Sequence, residues 1–366
     1  MGKLIFENPF IPQLEIRRYP YRDGDLLQGW DSADELILEH ASALDLSSVK
    51  ILIVQDQFGA LSSALQNFHP RAYTDSFVSF RSTELNGQRS VVPENDLSAF
   101  SEKFDLVLVR IPKNMSFFED ILCHLTGLLN PGAKVICASM VKYLTATSFQ
   151  LLERLIGKTT TGLAKKKARL VFAEFTGPRV PSPYPKEISI ENFDRAFVNH
   201  SNLFSREKLD IGTRFFLEHL PGGDYSRILD LGCGNGIVGI KAKLLNPQAQ
   251  LIFSDESNMA LMSARSNYSR YFQEPATYLW TNCYESQLPE SLDLVLCNPP
   301  FHQGHTIGDF IARQMFQDSH RALRKGGLLR VIGNSHLGYR QEVRGIFGNS
   351  TLCKTNEKFV IIDAIK

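Results

Sequence analysis

Arg227-Ile228-Leu229-Asp230-Leu231 runs directly into Gly232-Cys233-Gly234-Asn235-Gly236, and this junction decides the fold. The first five residues read as a short buried strand, and the glycine cluster as a tight turn into a following helix. In open α/β sheets, ligands bind at the carboxyl ends of the strands, which is where this loop falls. Glycines let the backbone turn sharply and lie flat against a ligand, with no Cβ in the way. Gly234 to Gly239 also matches G-x-G-x-x-G, with an acidic residue about 20 positions on, so the loop alone leaves a nicotinamide cofactor open. Asp230 turns the reading. A carboxylate two residues before the first glycine can orient the loop or a ligand ammonium, whereas a pyrophosphate would be repelled.

Working outward, the next strand, Gln250-Leu251-Ile252-Phe253-Ser254, ends at Asp255-Glu256. A carboxylate there can accept hydrogen bonds from both hydroxyls of a ribose, and Asp255 is the choice for that role. Glu256 is either a second cofactor contact or a helix-start residue beside a Ser257 cap. Asn282, in Trp280-Thr281-Asn282-Cys283, either reads an adenine edge or simply makes a turn.

The second decisive stretch is Asn298-Pro299-Pro300-Phe301, after the apolar strand Leu292 to Cys297. Adjacent prolines cannot continue a central strand, so they predict a rigid extended corner. An exocyclic amino group on a base is a poor nucleophile because its lone pair is delocalised into the ring. Two acceptors on its hydrogens, the Asn298 side chain and the Pro299 carbonyl, favour the pyramidal form that can attack. Phe301 offers a face for stacking an extruded base. Catalysis of this kind needs orientation more than a strong base. Hydride transfer calls for no such motif. Together the two stretches predict a methyltransferase that uses S-adenosylmethionine and acts on a planar, conjugated nitrogen.

The first half of the chain repeats the pattern unequally. Lys50-Ile51-Leu52-Ile53-Val54 runs into Gln55-Asp56-Gln57-Phe58-Gly59, and Phe104 to Pro112 echoes Leu292 to Pro300. Asn130 to Ile136 likewise echoes Arg324 to Leu329. Alternating strands and helix-length segments, such as Asn258 to Tyr268 and Ala312 to Leu323, predict open, mostly parallel sheets covered by helices on both faces. The fold class is therefore α/β, with two tandem Rossmann-like units. Glutamines replace two loop glycines in the first, which predicts a degenerate copy that kept the fold and lost the cofactor. Four prolines between Pro178 and Pro185 predict an extended linker. The expected organisation is residues 1–177 as the degenerate unit, 178–185 as linker and 186–366 as the catalytic unit.

Composition narrows the classes. A chain of 366 residues suits two domains, and 43% hydrophobic with 22% charged residues suits a globular protein. No apolar run reaches the roughly 18 residues of a membrane span, and the N-terminus does not read as a signal peptide. Six scattered cysteines without a C-x-x-C pair disfavour zinc ribbons and disulfide frameworks and fit a reducing cytoplasm. His302 and His305 lack a third ligand, so no metal is expected. The net charge of +1 decides nothing about nucleic acid.

At these residues the chain resembles class I methyltransferases acting on amino or amide nitrogens. Phe204 to Gly212, the loop from Asp230 to Gly236, and Phe301-His302 are similar to the bacterial ribosomal RNA guanine-N2 methyltransferases. Within that family the likeness is to the large-subunit branch, which acts on 23S ribosomal RNA. It extends over Gln28 to Glu35, Lys166 to Leu170, Asp255 to Ser257, Arg321 to Gly326 and Asn356 to Val360. The resemblance implies tandem domains, the first without cofactor, and N2-methylguanine as product. It also implies that Phe204, Ser205 and Arg206 border the active site, with Arg206 meeting a phosphate or the methionine carboxylate, or else merely opening a helix. His302 would line the substrate pocket.

Lys158, Lys165, Lys166, Lys167 and Arg169 form a run without an intervening acid, either a solvated face or a set of phosphate contacts. The expected partner is 23S ribosomal RNA, naked or in a large-subunit precursor. Methylation of 16S ribosomal RNA or of a protein glutamine, and a non-catalytic RNA-binding module, are the alternatives.

Overall fold

The computed structural model describes residues 4–21, 24, 27–300 and 306–366. The chain divides into two compact units, Met1–Tyr184 and Pro185–Lys366. In the first, β1 (Ile5–Phe6) pairs with β2 (Leu14–Glu15), and α1 (Ser32–Ala41) leads into the sheet. There follow β3 (Ile51–Val54), α2 (Ala60–Ala64), β4 (Arg71–Tyr73), α3 (Phe77–Asn86), β5 (Phe104–Arg110) and α4 (Met115–Leu128). The unit ends with β6 (Leu129–Met140), α5 (Ala146–Leu155), β7 (Thr159–Thr161) and β8 (Ala168–Glu174). Its sheet has the order β4-β3-β5-β6-β8-β7, with β8 antiparallel to both neighbours.

The second unit opens with the ribbon β9 (Lys186–Ile188) and β10 (Phe197–Asn199), then α6 (Ile211–Leu217). It continues through β11 (Arg227–Leu231), α7 (Ile237–Leu245), β12 (Gln250–Asp255), α8 (Asn258–Tyr271), β13 (Thr277–Trp280) and β14 (Leu292–Cys297). It closes with α9 (Thr306–Ala322), β15 (Leu323–Asn334), α10 (Tyr339–Phe347), β16 (Thr351–Thr355) and β17 (Phe359–Ile365). The order β13-β12-β11-β14-β15-β17-β16 repeats that of the first unit with one strand added at the edge.

The expected α/β architecture and its duplication are thus both present. Central strands β3 and β14 are buried along their whole length, as parallel strands covered on both faces must be. The same polar pin recurs in each copy. Asp293 accepts from the Arg227 N–H at 2.8 Å, and Asp105, at the matching position, accepts from the Lys50 N–H at 3.0 Å.

The copies part at the ligand end of the sheet. Where the second unit has β13, the first has a one-residue bridge, Tyr73 to Glu94. Gln55 stands where Gly232 stands, and both are left-handed, with φ of 62° and 72°. Both backbone N–H groups donate across to the neighbouring strand, Gln55 to Tyr73 O and Gly232 to Ser254 O, each at 2.9 Å. The turn survived loss of the glycine, at the cost that a left-handed non-glycine residue carries.

The proline-rich segment packs on the first unit. Val180 exchanges hydrogen bonds with the Thr126 hydroxyl, Ser182 donates to Asp120 at 2.5 Å, and Tyr184 donates to Glu119 at 2.7 Å. Prolines cannot pair in a sheet, and here the residues between them supply the polar contacts.

Candidate active site

Register builds the site. Leu231 lies opposite Cys297 on one side and Ser254 on the other, and Asp255 lies opposite Trp280. The positions just beyond β14 and β11 and at the end of β12, namely Asn298, Gly232 and Asp255, therefore form one row, continued by Thr281 and Asn282. With strands about 4.8 Å apart the row is about 14 Å long, enough to hold an extended small molecule across the strand ends. Residues up to 66 positions apart in the chain meet there because parallel pairing puts all the carboxyl ends on one edge.

The loop is tied to the next strand through Asp255. Its Oδ2 accepts from the Gly234 N–H and its Oδ1 from the Ser257 N–H, both at 2.9 Å. A carboxylate oxygen can accept more than one hydrogen bond, so a strand-end aspartate can serve both the loop and a ligand hydroxyl. A Cβ added to Gly234 would meet nothing within 4 Å, so the space over this turn is open. Asn235 is committed to the protein: its amide nitrogen donates to Asn199 at 3.0 Å and its oxygen accepts from the Ile237 N–H at 3.2 Å. Cys233 is buried, and burial holds its thiol well above the ordinary value, so it is no thiolate nucleophile.

Asp230 is 3% exposed and accepts from the Gly239 N–H in α7 at 2.8 Å, joining strand to helix across the loop. Burial pushes its carboxyl up from 3.8 to about 8, the Gly239 hydrogen bond opposing and the Asp255 charge adding. The fold therefore keeps a proton that the unfolded chain releases near 3.8. Stability present below that pH is lost as pH rises toward about 8. Asp230→Asn keeps an oxygen for Gly239 and removes the buried charge. It should melt at a higher temperature than the parent, by a margin that widens from about pH 5 to about pH 8. Calorimetry at the two pH values checks this, and a margin independent of pH would remove the buried charge as its cause.

Ser257 caps α8, accepting from the Ala260 N–H at 3.2 Å, so Glu256 lies just ahead of the helix. The Glu256 carbonyl accepts from the Trp280 indole at 2.9 Å. Asn282 is buried and donates to Glu285 at 3.1 Å. Asn298 donates from Nδ2 to the Thr213 hydroxyl at 3.1 Å, while its buried Oδ1 has no hydrogen-bond partner among the described residues. A buried acceptor left empty costs about 1–3 kcal/mol, so this atom is built to receive a donor. Pro299 is buried and Pro300 half-buried. Phe301 and His302 lie outside the described residues.

Phe204 is 79% exposed. Arg206 has a side chain that is 9% exposed, pairs with Glu207 at 3.0 Å and donates to the Ser201 carbonyl at 3.3 Å. Lys165 and Lys166 form exposed ion pairs with Glu39 at 2.6 Å and Glu35 at 2.7 Å. Lys166 and Lys167 are consecutive left-handed residues at a hairpin tip that Lys165 and Ala168 close by two 2.9 Å hydrogen bonds. Lys167 is exposed and Arg169 half-buried in β8.

Reading the sequence missed three contributors. Thr213 holds Asn298. Asn199 links Asn235 to the Arg206 carbonyl, accepting at 3.0 Å and donating at 2.8 Å. Asn267, fully buried in α8, donates at 2.9 Å to the carbonyls of Val198 and Asn235. An asparagine on the face of α8 that also carries Ala260, Ala264 and Tyr268 was the one signal available for it.

In the first unit other residues take the corresponding places. Arg110 stands where Asn298 stands and grips both Asp31 oxygens, at 2.7 and 2.8 Å, and Asp34 at 2.8 Å. Thr74 takes the place of Asp255.

Among the described residues no group of His, Cys, Asp or Glu could hold a metal, and no helix is long and apolar enough to cross a membrane. Residues 7–177 match the family described as the RLMG N-terminal domain, and residues 194–363 the methyltransferase small domain. The ribosomal RNA large subunit methyltransferase G of Psychromonas ingrahamii is 41% identical over 372 residues, covering 96% of this chain and 97% of that one. Its namesake from Pseudomonas aeruginosa is 42% identical over 375 residues, covering 99% and 100%. In fold, a T. thermophilus 16S rRNA N2 methyltransferase (RsmC), solved with AdoMet and guanosine, superposes with a TM-score of 0.78 at 18% identity, covering 96% and 94%. The cofactor is S-adenosylmethionine, and the residues fit it: an open glycine turn, a strand-end carboxylate and a buried carboxyl beside a cationic ligand's expected place. On identity of about two-fifths across nearly its whole length, the chain belongs to the ribosomal RNA large subunit methyltransferase G family.

Proposed function

We propose that this chain methylates the exocyclic N2 amino group of a guanine in 23S ribosomal RNA. The observation that carries the reading is the buried Asn298 Oδ1, without a hydrogen-bond partner among the described residues and in line with the glycine loop. S-adenosylmethionine, when bound, supplies an electrophilic methyl group on a sulfonium. The glycine turn and Asp255 hold the nucleoside end of that cofactor, with Cys233 and Asn235 shaping the loop and Glu256 and Asn282 flanking it. Asn298 Oδ1 and the Pro299 carbonyl accept the two amino hydrogens, which turns the nitrogen lone pair out of conjugation and toward the methyl. Pro300 keeps that corner rigid, and Phe301 stacks the base. The amine becomes acidic once methylated, so its proton leaves without a dedicated strong base.

Phe204, Arg206 and His302 border the RNA. Lys165, Lys166, Lys167 and Arg169 take phosphates, Lys165 and Lys166 by exchanging exposed carboxylate partners whose pairing is worth about 0–1 kcal/mol. The names of the curated relatives support ribosomal RNA of the large subunit as substrate and hence the cytoplasm as the place of work.

The test is incubation with methyl-labelled S-adenosylmethionine and, separately, protein-free 23S RNA, 16S RNA and intact subunits from a strain lacking the gene. Label in N2-methylguanine from 23S RNA is expected. Label from 16S RNA would keep the chemistry and change the substrate. No label in any RNA, with cofactor still bound, would turn the reading toward a protein glutamine, and no cofactor binding toward a plain RNA-binding module.

A further inference from the structure

We infer that Asp210 and Thr213 form a polarity relay that decides which end of the Asn298 amide faces the substrate, which makes Thr213 a positioning residue for methyl transfer. The inference rests on the role proposed for Asn298. An asparagine amide has an accepting oxygen and a donating NH2, and a half-turn about its last bond exchanges them. With the NH2 outward, two donors would meet at the substrate amino group and the lone pair would not be freed. Something must hold the oxygen out.

Thr213 alone does not choose, because a hydroxyl can donate or accept. Asp210 removes the ambiguity. It is the N-cap of α6, and its Oδ2 lies 3.0 Å from the Thr213 N–H and 3.4 Å from the Thr213 hydroxyl. A carboxylate only accepts, so the hydroxyl proton turns toward Asp210 and an oxygen lone pair turns toward Asn298. Across the 3.1 Å contact the amide can then present only its NH2. Oδ1 is left as an acceptor with no partner among the described residues. A turned amide would satisfy Oδ1 at Thr213 but leave its NH2 empty in the same place, so without a fixed polarity at Thr213 neither setting is strongly preferred. The relay opposes that turn.

The first unit carries the same coupling with inverted polarity. Asp31 is the N-cap of α1, as Asp210 is of α6, and Asp34 is the third helical residue, as Thr213 is. Arg110 occupies the place of Asn298, donating to both Asp31 oxygens and pairing by charge with Asp34. Linking the helix start to this strand end is therefore a feature of the fold. What differs is the group at the end of the line: donors paired inside the protein in the first unit, and in the second an acceptor with no hydrogen-bond partner among the described residues.

The test compares Thr213→Val, Thr213→Ser and Asn298→Ala in the full chain. Valine keeps the volume and the backbone hydrogen bond to Asp210 while removing the hydroxyl. Its kcat should fall about 30-fold, with KM for 23S RNA unchanged within about twofold, because orientation rather than binding is lost. Affinity for S-adenosylmethionine by titration calorimetry should match the parent, and the melting temperature should fall by only about 2–4 °C, the cost of one lost hydrogen bond. Serine, which restores the hydroxyl, should return kcat to within about threefold. Full activity in Thr213→Val with Asn298→Ala inactive would overturn the relay and leave the Asn298 role standing. Substantial activity in Asn298→Ala would remove that role and the relay with it. Equal losses in the valine and serine variants, or a valine loss accompanied by weaker cofactor binding and a larger fall in melting temperature, would show structural support only and overturn the relay.

Discussion

Asn298→Ala is expected to lower turnover by about three orders of magnitude while leaving cofactor affinity within about twofold. The size follows from what is removed. A fixed acceptor that meets the amino group as its lone pair leaves conjugation acts mainly in the transition state. Losing one such preorganised partner costs about 10²–10³ in rate, and here the loss also frees the corner that positions the base. The sparing of cofactor affinity follows from the contacts. Among the described residues the Asn298 amide bonds to Thr213, and the loop is held instead by Asp255, Ser254 and Asn199. Single-turnover kinetics with saturating 23S RNA, alongside calorimetric titration of the cofactor, separate the two quantities. Turnover within tenfold of the parent would move the catalytic role to another residue.

The second large effect is Gly234→Gln, which copies into the second unit the residue that the first unit carries at this place, Gln57. Affinity for S-adenosylmethionine should fall at least about 100-fold, because a side chain rising from this turn occupies the space the ligand needs. Stability should fall by only about 1 kcal/mol. Two observations bound that cost. A Cβ at Gly234 meets no atom within 4 Å, so no core group is displaced. The backbone, at φ of 53°, is a region where a non-glycine residue is strained by about 1–3 kcal/mol, and Gln55 shows that this family of turn tolerates such a residue. Thermal melting and cofactor titration on one sample decide it. A variant that unfolds would show the glycine serving the fold, and one that binds normally would show that the ligand lies elsewhere.

Much of the architecture was legible because it is written locally. Runs such as Leu292 to Cys297, the glycine turn and the proline corner each announce themselves within ten residues, and their recurrence exposed the duplication. The glutamines at Gln55 and Gln57 marked the first copy as altered. Its edge-strand loss and its Arg110 lock were not visible, since Arg110 reads as an ordinary strand end until its two aspartates are seen beside it. Lys165 and Lys166 show the same limit. In the sequence they are an unbroken basic run, and in the fold each meets a glutamate from α1 more than 120 positions earlier.

The sequence by itself determined the order of elements, the class of cofactor and the identity of the two motifs, because strand periodicity, glycine turns and proline corners are properties of neighbouring residues. Only the tertiary structure decided that Asn298, Gly232 and Asp255 share one row, and that the Asn298 amide meets Thr213, which in turn meets Asp210. Those facts depend on the register between strands and on hydrogen-bond polarity between residues up to 85 positions apart. No local pattern encodes either one, since each is set by which partner the folded chain brings within about 3 Å.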